Sequence, residues 1–224
     1  TLSKREKDPK AIAAAKLMKQ SAGQTLAMLL SIPKMNRDVR RLEKLGYPIK
    51  SFLQLMANDR NTDTVVYTSP EFQPCYESFS EKYAFVGPCI LPPTSSFEKN
   101  RERLVYISMG TVNNNIPEVY KNPIAAAADM DAQVLISVGA LADIDSLGKL
   151  PENVQLKRWV HQTAVLKEAD VFLSHCGMNS ASESLYFGVP LLCYPQTAEQ
   201  GAVAARICRL GAGKTLASPS AEDI

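Results

Sequence analysis

Four short segments of this chain combine glycines, hydroxyls, amides and carboxylates at spacings that suit an anionic, hydroxyl-rich ligand. In Ser174-His175-Cys176-Gly177-Met178-Asn179-Ser180-Ala181-Ser182-Glu183, an apolar run meets a glycine turn and then a stretch rich in small polar residues. A strand, turn and helix of this kind aim unpaired N–H groups and a positive dipole end at one point, where a diphosphate can sit. His175, Asn179 and Ser180 could add side-chain donors. For Glu183 two roles stand open: bonding a ligand, or closing a capping box Ser180-x-x-Glu183 on its own helix start. Ser108-Met109-Gly110-Thr111 follows the apolar run LVYIS, so Gly110 lets the backbone turn toward an oxyanion while Thr111 can donate to it; an ordinary strand-to-loop turn is the alternative. Trp159-Val160-His161-Gln162 holds the chain's one tryptophan, which could stack on a nucleobase beside a backbone that reads the base edge, or simply fill a core. In Pro195-Gln196-Thr197-Ala198-Glu199-Gln200 a carboxylate beside an amide can exchange hydrogen bonds with neighbouring sugar hydroxyls, or Glu199 can serve only a helix dipole.

Two other chemistries are set aside. Ser174-His175-Cys176 places a nucleophile beside a base, but adjacent residues on a strand point to opposite faces and cannot form a triad. The five cysteines and two histidines contain no CxxC pair and no recognisable ligand pairs, so no metal site is expected and the thiols are expected unbridged.

The elements that must position these residues can be read from periodicity. Residues 9–32 are rich in Ala, Leu, Met and Lys at helical spacing, and predict a helix or helix pair. Residues 35–45 predict another, ended by Gly46-Tyr47-Pro48. Short β-branched and aromatic runs predict strands at 64–68 and 83–86. The proline-rich, polar stretch from Leu91 to Arg101 lacks periodicity and marks a linker, placed at 93–103 between units 1–92 and 104–224. Beyond it, apolar runs at 104–108, 134–138, 171–174 and 189–193, with a further strand expected at 154–157, alternate with helical stretches, which predicts βαβ units and a parallel sheet of an α/β fold. In such sheets ligands bind beyond the carboxyl ends of the strands, where all four segments fall.

The bulk composition is permissive. The 224 residues are 46% apolar, enough for a sizeable core, and the formal net charge of +2 is spread without a basic stripe, which argues against nucleic acid. No apolar run approaches the roughly 20 residues that span a bilayer, and a cytoplasmic protein without stable membrane insertion is expected. The chain opens at Thr1 and stops within what reads as a helix start at Ser218–Ile224, so it is expected to be an interior slice of a longer protein.

Taken jointly, Ser108 to Thr111, Trp159 to Gln162, His175 to Ser180, Glu183 and Gly188-Val189-Pro190 through Glu199-Gln200 resemble the signature of UDP-glycosyltransferases, in order and in spacing. Trp159 precedes His175 by 16 positions and His175 precedes Glu183 by 8, similar to the bacterial macrolide-type branch. The resemblance covers residues 104–217 closely and the first 92 more loosely, as the end of an N-terminal acceptor domain. It implies a GT-B fold of two Rossmann-like domains, with the donor on the second. It further implies that Trp159 stacks on uracil with backbone contacts from Val160, and that Gln162 lies beside base or ribose. Glu183 would accept from the ribose hydroxyls; Gly110, Thr111, His175, Gly177, Asn179 and Ser180 would hold the diphosphate; Glu199 and Gln200 would bind the transferred sugar, expected to be glucose.

The implied reaction is an inverting displacement, in which a hydroxyl of a small lipophilic acceptor attacks the anomeric carbon as UDP leaves, with no cofactor and no metal. The family's base, a histidine oriented by an aspartate near the N-terminus, matches neither His161 nor His175. That leaves two alternatives: a non-catalytic nucleotide-sugar-binding module, or another GT-B enzyme such as a nucleotide-sugar epimerase. Three departures from the family pattern stand out: His161 in place of proline, Cys176 in place of glycine, and Glu199 in place of aspartate.

Overall fold

The computed structural model describes residues 22–51, 63–110, 117–140 and 142–216. The chain divides into two compact units, residues 1–87 and 88–224.

In the first unit, α1 (Ala22–Lys44) is one continuous helix that runs through Pro33, where a helix or helix pair at 9–32 and a separate helix at 35–45 were expected. Pro33 removes a single N–H, and the helix-favouring leucines, lysine and methionine on either side carry the turn across it. The part of the first expected helix before Ala22 lies outside the described residues. α1 ends as the sequence indicates: Gly46 takes φ +88, and the N–H of Tyr47 reaches back to the Leu42 carbonyl at 3.1 Å. β1 (Thr64–Val66) and β2 (Tyr83–Phe85) pair in parallel, with Thr64 opposite Tyr83. Phe79 packs edge-on against both Tyr83 and Phe85 beside them.

The second unit is a six-stranded parallel sheet. Its strands are β3 (Leu104–Ser108), β4 (Gln133–Ser137), β5 (Val154–Lys157), β6 (Val171–Ser174), β7 (Leu191–Cys193) and β8 (Gly213–Thr215). The spatial order is β5-β4-β3-β6-β7-β8. Two half-sheets thus grow outward from β3 and β6, the doubly wound arrangement that leaves a crevice where the winding reverses. Helices α2 (Pro117–Ala127), α3 (Gln162–Leu166), α4 (Met178–Tyr186) and α5 (Ala198–Arg209) make the crossovers. α2 lays Val119, Tyr120, Ile124 and Ala127 on one sheet face, against Ile107, Val134, Ile136 and Leu173. The other face carries Tyr106 and Phe172, stacked with centroids 4.7 Å apart. β8 was not foreseen, because Gly-Lys-Thr has no apolar alternation; its place is fixed by the ladder to Leu191–Cys193.

Two polar side chains, Asn153 buried and Asp170 half-exposed, tie the crossovers to the sheet. Asn153 donates to the carbonyls of Ala127 at 2.7 Å and Ala132 at 2.9 Å, closing the turn after α2. Asp170 accepts from the Leu104 N–H at 2.8 Å, setting the start of β3 against β6. The polar stretch before β3 runs along this unit: the Asn100 N–H donates to Gln133 Oε1 at 2.8 Å, and Lys99 pairs with Asp170 at 3.4 Å.

Candidate functional site

The carboxyl ends of β4, β3, β6 and β7 place Ser137, Ser108, Ser174 and Cys193 in one register row. Small side chains here leave room above the sheet, and a cleft of about 680 Å³ opens over the β3–β6 switch point. Ligand pockets fall in the range of roughly 300 to 1,000 Å³.

β6 ends at Ser174, so His175 and Cys176 stand in the following loop rather than on the strand. Cys176 adopts φ +63, a left-handed conformation that favours glycine, and its N–H is held by Ser174 Oγ at 3.1 Å. Its thiol is fully buried against the Ser174 carbonyl and Cys193, which pushes its pKa up and keeps it protonated. Cys176 is therefore not a thiolate nucleophile, and all five cysteines are free. The turn sends the chain directly into α4, whose N-cap is Gly177. No side chain caps this helix and no acid stands in its first turn. The N–H groups of its first turn therefore point into the cleft without intrahelical acceptors, under the positive end of a nine-residue helix.

The His175 ring is wedged between two glycines. A Cβ on Gly110, which sits at φ +80, would stand 2.7 Å from His175 Cε1; one on Gly177 would stand 2.6 Å from Nε2. Both glycines are thus required for the close approach of this ring, beyond any need of the turns themselves. Burial holds the imidazole below its ordinary pKa of 6.5, with the Ser108 carbonyl and Glu199 pulling more weakly the other way. It is a neutral donor at neutral pH.

Glu183 is not a capping residue. α4 begins at Met178, so Ser180 lies inside the helix and the alternative Ser180-x-x-Glu183 box does not exist. Gln162 Nε2 instead donates to Glu183 Oε2 at 2.7 Å and to Ser180 Oγ at 3.2 Å. The capping box of this unit lies one helix later: Thr197 Oγ1 accepts from the Gln200 N–H at 3.3 Å, and Gln200 Oε1 accepts from the N–H groups of Thr197 and Gln196.

Trp159 is not core. It is 67% exposed at the rim of the cleft, edge-on to His161 with centroids 4.4 Å apart. Val160 and Gln162 line the cleft beside it, together with Gly110, His175, Gly177, Asn179, Ser180 and Glu183. Glu199 and Gln200 are not part of that lining, although Glu199 lies close enough to bias His175. Thr111 lies outside the described residues. Five lining residues were missed by sequence reasoning: Tyr106, Ser137, Gly139, Ala140 and Arg158. The alternation of LVYIS could have indicated Tyr106, since it shares a face with Ser108; Arg158 donates to the Ala140 carbonyl at 2.8 Å and carries no motif signal. Among the described residues, no group of three or more His, Cys, Asp or Glu is placed to hold a metal ion, and no helix is long and apolar enough to cross a membrane.

Residues 121–223 match the family described as Erythromycin biosynthesis protein CIII-like, C-terminal domain. The chain is 38% identical over 158 residues to the uncharacterized UDP-glucosyltransferase YojK of Bacillus subtilis, covering 68% of this chain and 39% of that protein. It is also 38% identical over 176 residues to the NDP-glycosyltransferase YjiC of the same organism, covering 77% and 44%. Over these stretches the chain is similar to bacterial UDP-glycosyltransferases. The demethyllactenocin mycarosyltransferase of Streptomyces fradiae is 34% identical over 67% of the chain and 33% of its own length. Among solved structures, the calicheamicin glycosyltransferase CalG4 superposes with a TM-score of 0.66 at 29% identity, over 83% of this chain and 49% of that one. The glycosyltransferase of kitacinnamycin, at 24% identity and a TM-score of 0.71, shares the fold. The expected GT-B fold, α/β with a Rossmann-like parallel sheet, is borne out. The chain spans less than half the length of these curated glycosyltransferases.

Proposed function

We propose that the second unit binds a UDP-sugar, and that the protein transfers the sugar, glucose in the first instance, to a hydroxyl of a small lipophilic acceptor with inversion. The observation that carries this reading is the convergence on one cleft of an uncapped helix N-terminus, a neutral histidine, a carboxylate and an exposed tryptophan. Each suits one part of the donor. The α4 N-terminus and His175 meet the diphosphate, and their donors gain strength as negative charge develops on the departing UDP. Glu183 accepts from ribose hydroxyls, while Trp159 offers its face to uracil beside the Val160 backbone.

Helix dipole, backbone N–H groups and imidazole together supply leaving-group stabilisation from the chain itself, which supports a donor site that works without a metal. Glu199 and Gln200 would reach the sugar from the start of α5, with Gln200 contributing through Nε2 because its Oε1 serves the helix cap. His175 is assigned to the leaving group rather than the acceptor, since it packs against Gly110 and Gly177 on the anion side. The name of YojK supports UDP and glucose, and those of the Streptomyces relative and of CalG4 support acceptors of the demethyllactenocin and calicheamicin kind. A cytoplasmic location accords with a nucleotide-sugar donor.

Calorimetric titration with UDP, UDP-glucose and ATP tests the donor reading. UDP ligands are expected to bind in preference to ATP, and Trp159→Ala and Glu183→Ala each to weaken them by about 1–3 kcal/mol, as for a lost stacking face or a lost polar partner. Equal binding of ATP, or no response to either substitution, would overturn it.

A further inference from the structure

We propose that Tyr106 is a positioning residue: its hydroxyl fixes the Gln162 amide, which in turn holds the Glu183 carboxylate in the orientation that reads a ribose. This rests on the donor-site reading above.

The argument begins with the donors and acceptors of one amide. Gln162 offers two N–H donors on one side and one carbonyl on the other. Glu183, when ionised, can only accept, so the side of Gln162 that faces it at 2.7 Å must be the NH₂. The second N–H is taken by Ser180 Oγ at 3.2 Å. Oε1 must then face the opposite way, into the half-buried space over β3, and there the Tyr106 hydroxyl donates to it at 3.2 Å. Because Tyr106 has Gln162 as its acceptor, its own oxygen is left to accept from the Ser108 and Ser137 hydroxyls beside it. The chain Tyr106, Gln162, Glu183 is therefore directional, with every proton pointing toward the carboxylate.

Its anchor is rigid. Tyr106 lies in the middle strand of the sheet, is almost wholly buried, and stacks on Phe172 with planes 16° apart. Burial also drives the phenol pKa far upward, so the hydroxyl never loses the proton it donates. Gln162, by contrast, opens α3, a helix of five residues, and nothing on its own element holds its side chain. Without the phenol, the amide carbonyl loses its donor and the amide is free to rotate away from Glu183. Glu183 Oε2 would then turn to water or to a ribose hydroxyl in another geometry.

Tyr106→Phe tests this without disturbing the core, because the stacked ring remains. Wild type and variant are titrated with UDP and 2′-deoxy-UDP, and thermal midpoints are recorded beside them. The expected result is a loss of about tenfold for UDP and less than about threefold for the deoxy ligand, with the midpoint nearly unchanged. In the Glu183→Ala background, Tyr106→Phe should add less than twofold, since its effect passes through that carboxylate. Equal losses for both ligands, or full additivity with Glu183→Ala, would assign Tyr106 a packing role only and overturn the proposal. Wild-type protein that binds UDP but does not distinguish it from the deoxy ligand would overturn the ribose role of Glu183. Wild-type protein that binds neither would overturn the donor-site reading itself, and the proposal with it.

Discussion

At the scale of single residues, the site is built from close approach more than from charge. Gly177 sits at φ −60, an angle any residue adopts, so alanine there meets no backbone penalty. What it meets is the His175 ring. Gly177→Ala should therefore push the imidazole out of the cleft, costing about 1–3 kcal/mol as overpacking and weakening UDP at least about tenfold. Adding His175→Ala should relieve the stability loss without restoring affinity. A Gly177→Ala protein with wild-type affinity would show that the ring does not touch the ligand. Glu183 and Trp159 illustrate what sequence can and cannot give here. Both carried a rival reading that spacing could not remove: a capping box for one, core filling for the other. Only the helix start at Met178 and the exposure of the indole decide between them.

At the scale of elements, strands were legible where burial on both faces forces continuous apolar runs. β3 and β6 fall at the expected bounds, β4 and β7 shift by one or two residues, and the edge strand β5, VQLK, also falls at its expected bounds though it is only partly buried. Elements held by pairing alone were not legible: β8 has no pattern of its own, and the passage of α1 through Pro33 runs against the usual reading of proline. In α5 a helix cap and a candidate ligand contact share one side chain. Gln200 reads as a sugar-binding amide, yet its carbonyl closes the box on Thr197. Thr197→Ala should cost about 0.5–2 kcal/mol in urea unfolding of the second unit, as for a lost helix cap. An unchanged midpoint would mean the cap is frayed in solution and Gln200 wholly available to a ligand.

At the scale of the whole molecule, the sheet order concentrates the chemistry: β3 and β6 deliver Gly110 and His175 to one crevice because the winding reverses between them. That placement couples the site to global stability. His175 is held neutral by burial, with its folded pKa below 6.5, so as pH falls the unfolded chain takes up the proton first. Stability present above pH 6.5 should be lost progressively as pH drops from about 6.5 toward the lowered folded value, and the loss should level off below it. Urea midpoints at about pH 7.5 and 5.5 read this directly, and His175→Gln should flatten the difference; an equal slope in the variant would remove His175 as its source. The two-unit organisation has a further bearing on how the cleft can be watched. The chain has one tryptophan, and it stands in solvent at the mouth of the cleft rather than inside either core. On the proposed donor reading, its fluorescence should serve as a native optical gauge, quenched when a nucleobase settles on the indole, so that occupancy can be followed in real time without a label.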